Sequence, residues 1–196
     1  DVLNKYFGEM NTLEQIVECS QWLQCEGYKA IFEETRRQKP YCSMAINWCF
    51  NEPWITAAGN SIIGYPNVKK PSYYAVQNSL RPTLAPARIP KFSWQNGELL
   101  SFEIWYHNDT PLKTEDTVTA AVEIGGEKTE LLEWKTGKIN ANSCKIGPTV
   151  NFVLPACRKA EYIKIYLTAE SGRADNCYKL LYRCDVKDNA LRGLNE

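Results

Sequence analysis

The sequence has little of what zinc proteins, nucleic-acid binders and membrane proteins require. It holds one histidine, His107, and no Cys-x-x-C pair, so the ligand spacing of a structural zinc site is missing. Lys plus Arg and Asp plus Glu both number 23, which argues against the basic face of a nucleic-acid binder. No run approaches the roughly 20 apolar residues that span a bilayer. We therefore expect no metal, no other cofactor, no nucleic-acid partner and no membrane partner.

The eight cysteines fall short of the density of a disulfide scaffold. Four of them lie in the first half of the chain and are predicted to be buried thiols: Cys19, Cys25, Cys42 and Cys49. The other four lie in a strand-rich region and could pair in several ways: Cys144, Cys157, Cys177 and Cys184. Pairing there would indicate an oxidising compartment, and we expect a periplasmic or extracellular location. The start, Asp1-Val2-Leu3, resembles the interior of a longer polypeptide without its signal peptide.

Residues 1–82 have the pattern helix, strand, helix. Thr12 followed by Gln15 is a capping box, and apolar or small residues then recur at helical spacing up to Phe32. Residues 43–48 form a short apolar run typical of a strand buried on both faces. Pro71 then begins a second helix. Because a lone strand cannot close a core, this region predicts the last units of a (β/α)8 TIM barrel, incomplete because its earlier strands are missing.

The sequence pattern changes from helical to strand-like after a proline-containing linker at residues 83–90. Gly125-Gly126 and Ser171-Gly172 are typical hairpin turns between short alternating segments. Candidate strands span residues 87–94, 99–107, 117–124, 129–135, 149–153, 162–168 and 177–183. Seven such strands predict an immunoglobulin-like β-sandwich. The fold class is therefore α/β plus all-β, with a barrel end at residues 1–82 and a sandwich at residues 83–196.

The segment Trp48-Cys49-Phe50-Asn51-Glu52-Pro53-Trp54 concentrates side chains that bind sugars. Indole faces stack on the C–H bonds of a pyranose, while amides and carboxylates bond its hydroxyls. The alternative interpretation is a buried strand end whose tryptophans only pack. We take Trp48, Asn51, Glu52 and Trp54 as candidate substrate-binding residues.

The order of several short motifs resembles one enzyme family. A helix ending Arg36-Arg37-Gln38-Lys39-Pro40 precedes the strand ending at Trp48, and Asn51-Glu52-Pro53-Trp54 and Lys70-Pro71-Ser72-Tyr73-Tyr74 follow. This resembles the C-terminal part of glycoside hydrolase family 2 enzymes such as β-mannosidases, exo-β-glucosaminidases and β-galactosidases. The resemblance implies a retaining exo-β-glycosidase acting on glycans or polysaccharides, with a carbohydrate substrate and with upstream barrel and N-terminal domains as partners. It places Trp48 beneath the sugar, with Asn51, Glu52 and Trp54 at the rim.

The resemblance also implies that both catalytic carboxylates are missing from this chain, so that it contributes the floor and rim of the sugar site and is inactive alone. One departure leaves an alternative open. Glu52 stands where the family pattern has Asp, and Asn51-Glu52-Pro53 also matches the acid/base motif of the wider enzyme clan. An intact small glycosidase using Glu52 conflicts with the length of 196 residues, since a barrel takes about 250. A non-catalytic carbohydrate-binding or structural accessory module is the alternative from another class.

Other conspicuous side chains are assigned structural roles. His107 is expected to be a surface histidine at a strand end, and Arg36-Arg37 a solvated helix end that complements the helix dipole. Gly27 is expected to permit close packing of the first long helix. The remaining aromatic candidates are expected to pack, on a helix or in the sandwich core: Tyr73, Tyr74, Trp94, Trp105 and Trp134.

Overall fold

A computed structural model describes residues 2–56, 59–156 and 161–183. The helices are α1 (Val2–Phe7), α2 (Leu13–Arg37) and α3 (Pro71–Ser79). The strands are β1 (Ile63–Gly64), β2 (Val68–Lys69), β3 (Thr83–Leu84), β4 (Ala87–Arg88), β5 (Ser93–Gln95), β6 (Leu99–Asn108), β7 (Thr117–Ile124), β8 (Glu127–Lys135), β9 (Ser143–Val153), β10 (Glu161–Ala169) and β11 (Asn176–Arg183). Helices and antiparallel sheets therefore coexist, and the described residues form no closed barrel.

Two larger sheets form the second half of the molecule. One has the strand order β5-β11-β10-β7-β8, antiparallel except for the parallel pair of β5 and β11. In the other, β6 pairs with β9 on one side and with β3 and β4 on the other. Strand β4 belongs to the second sheet and β5 to the first, so the short segment between them connects the two sheets directly.

The two sheets bury one common apolar core. From β6, Leu100, Phe102 and Ile104 point into it, and they alternate with partly exposed neighbours as predicted for a half-buried strand. From the other sheet, Ile163 and Ile165 of β10 join the same cluster. Full burial of each such side chain contributes about 1.5–3 kcal/mol. The immunoglobulin-like topology of these sheets stays a prediction.

Most strands lie where the sequence predicts them. The segment predicted at residues 117–124 matches β7, and Gly125 and Gly126 form the turn to β8 with positive φ angles of 59° and 84°. The linker prediction for residues 83–90 is wrong in one respect. Its residues form β3 and β4 along β6, and Pro90 then separates β4 from β5, so the predicted strand at residues 87–94 is two short strands in different sheets.

Helix α2 begins as predicted. The Thr12 hydroxyl accepts a hydrogen bond from the Gln15 amide at 3.2 Å, and the Gln15 side chain accepts one from the Asn11 amide at 2.9 Å. The helix ends differently from the prediction, because Arg36 and Arg37 are buried instead of solvated. No atom lies within 4 Å of the position of a Cβ on Gly27, so the described residues make no close contact there.

The buried end of α2 joins three parts of the molecule. The Arg36 guanidinium donates to the carbonyl of Ser79 at the end of α3 and, at 2.8 Å, to the carbonyl of Arg81. It also lies 3.2 Å from the carboxylate of Asp109, directly after β6. Helix α3 packs along α2, where Phe32 and Val76 share a small apolar cluster with Ile62 and Ile63. The C-terminal end of α2 is therefore tied to both α3 and the β-sheets.

Residues 43–48 do not form the predicted strand. They are mostly exposed and have no ladder partner among the described residues, and the nearest pairing along the chain is one parallel bridge between Asn51 and Ile63. A buried strand needs neighbours on both edges, and the described residues supply none there. The barrel assignment of residues 1–82 therefore remains a prediction, and so does the domain boundary at residue 82.

Candidate functional site

The predicted sugar-binding residues lie together on one exposed segment, residues 42–56. Trp48 is 82% exposed and Trp54 is 66% exposed. The amides of Ile62 and Ile63 donate to the Phe50 carbonyl at 3.2 and 3.1 Å, which ties the segment to β1. The Trp48–Cys49 peptide bond is cis. At these exposures, most of each tryptophan is left uncovered by the part of the chain that the structure describes.

Asn51 and Glu52 differ in how firmly they are held. Asn51 is exposed and contributes only the bridge to Ile63. The side chain of Glu52 is 11% exposed and forms an ion pair with Lys70, 2.6 Å between Oε1 and Nζ. The Ser61 hydroxyl donates to the same oxygen at 2.6 Å. Trp48 and Asn51 are therefore free to meet a ligand, whereas Glu52 is occupied by protein partners.

The surroundings of Glu52 keep it ionised. Hydrogen bonds from Lys70, then from Ser61, lower the pKa of this carboxyl from its usual 4.5 to about 2. A general acid in a glycosidase needs a raised pKa so that it carries a proton near neutrality. This environment disfavours the acid/base alternative for Glu52 and favours a role in shaping the loop.

Three members of this cluster were given no role at the site from the sequence: Gly59, Ser61 and Lys70. Lys70 also donates to the Gly59 carbonyl at 3.2 Å, so it connects Glu52 before Trp54 with Gly59 after it. A Cβ on Gly59 would lie 2.3 Å from Oε1 of Glu52, which only the absence of a side chain avoids. The glycine and the Lys-Pro pair are visible in the sequence, but their meeting at Glu52 depends on how the loop folds back.

His107 is fully buried, so its prediction as a surface residue is wrong. Burial, together with the nearby charges of Arg36, Arg37 and Lys39, holds the pKa of this imidazole well below its usual value of 6.5. The histidine is therefore neutral at physiological pH. Register explains the burial: His107 is the partner of Cys144 in the β6–β9 ladder, beneath the end of α2, where the Cys144 thiol donates to the carbonyl of Arg36.

The cysteines of the described residues are free thiols. Cys144 and Cys177, two of the four candidates for pairing, are unpaired, while Cys157 and Cys184 lie outside the described residues. Cys49 is exposed, contrary to its prediction as a buried thiol. Residues 2–56, 59–156 and 161–183 contain no group of three His, Cys, Asp or Glu side chains placed to hold a metal ion. Within the same ranges, no helix is long and apolar enough to cross a bilayer.

Comparison with solved structures identifies the fold. The β-D-mannosidase from Dictyoglomus thermophilum superposes with a TM-score of 0.63 and 24% identity, over 91% of this chain and 21% of its own. The exo-chitosanase CsxA of Amycolatopsis orientalis gives a TM-score of 0.64 at 21% identity, over 90% of this chain and 20% of its own. This chain has the fold of one part of these glycosidases. It spans about a fifth of the length of either enzyme.

The same fold likeness extends to a second structure of CsxA, described as an exo-β-D-glucosaminidase, with a TM-score of 0.65 at 20% identity. No protein-family model and no curated protein sequence matches the chain. The resemblance to β-mannosidases and exo-β-glucosaminidases stated from the short motifs is confirmed at the level of the fold. The likeness covers both the helical half and the sheets, because 90% of this chain is superposed.

Proposed function

We propose that this chain is the C-terminal part of a retaining exo-β-glycosidase and that it supplies the tryptophan-lined floor and rim of the sugar site. The observation that carries the proposal is the fold likeness to β-mannosidase and exo-chitosanase over about nine-tenths of this chain and a fifth of theirs. The proposed substrate is a glycan or polysaccharide from which a single terminal sugar is removed. The sugar and its linkage are left to the upstream domains, whose loops would complete the pocket.

Exposed apolar side chains in the first half of the chain support the proposal that other parts of the parent enzyme cover this surface. Met44, Ile46, Trp48, Phe50 and Ile55 are all more than half exposed on one segment. A contiguous apolar stretch of this kind marks an interaction surface in soluble proteins. On the proposed reading, the earlier strands of the parent barrel would cover part of this stretch, while Trp48 would remain open to the sugar.

Exposed apolar side chains on one face of α2 support the same proposal. Leu13, Ile16, Val17 and Ile31 follow helical spacing and are exposed. The opposite face of the helix already contacts the β-sheets. In the proposed parent enzyme, α2 would therefore lie between the barrel on its apolar side and the sheets on its charged side.

The proposed roles follow from side-chain chemistry. Trp48 stacks on the sugar ring, and Trp54 and Asn51 bound the rim. Glu52, ionised and paired with Lys70 through Oε1, holds the rim loop in place and accepts hydrogen bonds from sugar hydroxyls only through Oε2. The two catalytic carboxylates come from elsewhere in the parent chain. A periplasmic or extracellular location remains part of the proposal.

The test uses the parent enzyme and the 196-residue chain side by side. The parent should hydrolyse an aryl β-glycoside of mannose, glucosamine or galactose, and the 196-residue chain alone should hydrolyse none. In the parent, Trp48→Ala should lower kcat/KM at least tenfold, about 1.4 kcal/mol of transition-state stabilisation. The matched control is Trp134→Ala, since Trp134 packs on Gly147 in the β-sheets.

Two results would contradict the proposal. Robust turnover by the 196-residue chain would show that the carboxylates are present in it. Equal losses for Trp48→Ala and Trp134→Ala would assign Trp48 a structural role only. If the parent has no hydrolase activity but the chain binds oligosaccharides through Trp48 and Trp54, the non-catalytic carbohydrate-binding module takes the place of the enzyme.

A further inference from the structure

The face of α2 that docks on the β-sheets is charged. Glu26, Lys29, Glu33 and Arg36 recur at spacings of three and four residues, so they form one stripe along the helix. All four side chains are buried. We call this set the docking stripe. Burial of charge is costly unless each group finds partners, so the contacts of the stripe decide how firmly the helix is held.

Lys29 and Glu33 are well partnered. The Lys29 ammonium donates to Oδ1 of Asn176 at 3.1 Å and lies 4.0 Å from the centre of the Tyr178 ring. The carboxylate of Glu33 accepts hydrogen bonds from the Tyr178 hydroxyl at 2.5 Å and from Nδ2 of Asn176 at 3.0 Å. Both charges of the stripe that face the start of β11 are thus compensated by polar groups of Asn176 and Tyr178.

Glu26 is the exception in the docking stripe. It is 7% exposed, and its carboxyl accepts one hydrogen bond, from the Lys179 amide at 3.4 Å. Among the described residues, no cationic nitrogen lies within 4.0 Å of it, because the Lys29 ammonium is directed to Asn176 and to the Cys177 carbonyl. The titratable or charged groups that face it are Cys25, Lys29 and Glu33 on α2 and Cys177 and Lys179 on β11.

The protonated form of Glu26 fits this position better than the ionised form. Burial raises the pKa of its carboxyl from 4.5 to about 7, and the charge of Glu33 acts in the same direction. Lys29 and the Lys179 amide lower the pKa, but by less than burial raises it. At acid pH the docked helix therefore buries a neutral carboxyl, which needs less compensation than an anion.

We propose that Glu26 is a proton-controlled contact, so that the docking of α2 on β11 weakens as the pH rises towards neutrality. An undocked Glu26 ionises from about pH 4.5, while the docked residue keeps its proton to about pH 7. Docking is therefore strongest below pH 4.5, loses strength between 4.5 and 7, and stays at its weakest above 7. The device would allow α2 to loosen from the sheets in a pH-dependent way.

The test is amide hydrogen exchange by NMR on the 196-residue chain at pH 5 and pH 8, with rates corrected for intrinsic exchange. Protection of the α2 amides should fall by on the order of a hundredfold between the two conditions. The amides of β6 serve as an internal reference and should change much less. Glu26→Gln should leave α2 protection nearly equal at the two pH values. The matched control, Glu14→Gln on the exposed first turn of the same helix, should keep the full pH dependence.

A second measurement covers the case in which the glutamine variant does not fold. The side-chain carboxyl carbon of Glu26, observed by NMR in the unmodified protein, should titrate close to neutrality. A midpoint near 4.5 would overturn the proposal. So would equal α2 protection at pH 5 and pH 8, a pH dependence that survives in Glu26→Gln, or an equal loss of protection in α2 and β6.

Discussion

At the residue scale, Glu52 shows how neighbours decide the chemistry of a side chain. The motif Asn51-Glu52-Pro53 is compatible with an acid/base role, yet the carboxylate lies against Lys70 and Ser61. Two short hydrogen bonds favour its ionised form, whereas a general acid must carry a proton. What remains is a fixed negative charge that holds Lys70 and the loop containing Gly59 together.

We predict that Lys70→Met raises the pKa of the Glu52 carboxyl from about 2 towards its usual 4.5, because the largest cause of the lowering is removed. A group with a lowered pKa stabilises the fold above about pH 4.5 and loses this contribution as the pH falls towards 2. Between about pH 4.5 and pH 2, the free energy of unfolding of the variant should therefore fall less than that of the unmodified protein. Side-chain NMR titration of Glu52 measures the shift.

The matched control is Lys69→Met. The ammonium of Lys69 lies over the Tyr73 ring at 4.6 Å and forms no ion pair with Glu52. Its replacement should leave the Glu52 titration where it was. A Glu52 midpoint that stays near 2 in Lys70→Met would show that Ser61 and the backbone suffice to hold the carboxylate.

At the scale of elements, α2 has two different faces with two different roles. Its charged docking stripe is buried, while Leu13, Ile16, Val17 and Ile31 on the opposite face remain exposed. Helical periodicity in the sequence identifies the helix and its cap, but it does not say what covers each face. In the structure Arg36 and Arg37 are buried, whereas Leu13 and Ile31 are exposed.

We predict that Tyr178→Phe destabilises the protein by about 1–3 kcal/mol, the cost of leaving buried polar groups without a partner. The Tyr178 hydroxyl donates to Glu33 and accepts from the Ala87 amide at 2.7 Å, so its removal affects α2 and β4 together. Urea unfolding followed by circular dichroism measures the loss.

Tyr166→Phe on the adjacent strand is the control for that measurement. Its hydroxyl donates to Glu123 at 3.0 Å in a partly exposed position, where water replaces the lost bond. A loss below about 0.5 kcal/mol is expected for such a substitution. Equal losses in the two variants would mean that the buried bond to Glu33 contributes no more than a surface one.

At the scale of the whole molecule, the two halves differ in how far their apolar side chains are buried. The sheets share a closed apolar core, whereas the segment after α2 leaves large apolar side chains in water. Ile46 and Ile55 are 82% and 83% exposed, beside the two open tryptophans. An apolar surface of this kind favours self-association when its natural covering is absent.

We predict that the 196-residue chain self-associates through this segment and that the double change Ile46→Ser and Ile55→Ser reduces the association. Sedimentation velocity over a range of concentrations measures the change, with binding of a hydrophobic dye as a second readout. The control is Leu112→Ser with Ile146→Ser, two exposed apolar residues of the β-sheet half. If the control reduces association as much, the interface lies on the sheets and not on the tryptophan segment.

Local pattern in the amino-acid sequence was enough to predict the capped helix α2, the alternation in β6 and the Gly125-Gly126 turn, and to find the motifs that resemble family 2 glycosidases. Only the folded structure shows which charged residues are buried, that burial keeps His107 neutral, and that Gly59, Ser61 and Lys70 meet at Glu52. These depend on contacts between residues far apart in the chain, whose burial and pKa values no local period encodes. For the same reason residues 43–48 carry the composition of a buried strand yet form none here, since a strand is completed by its neighbours.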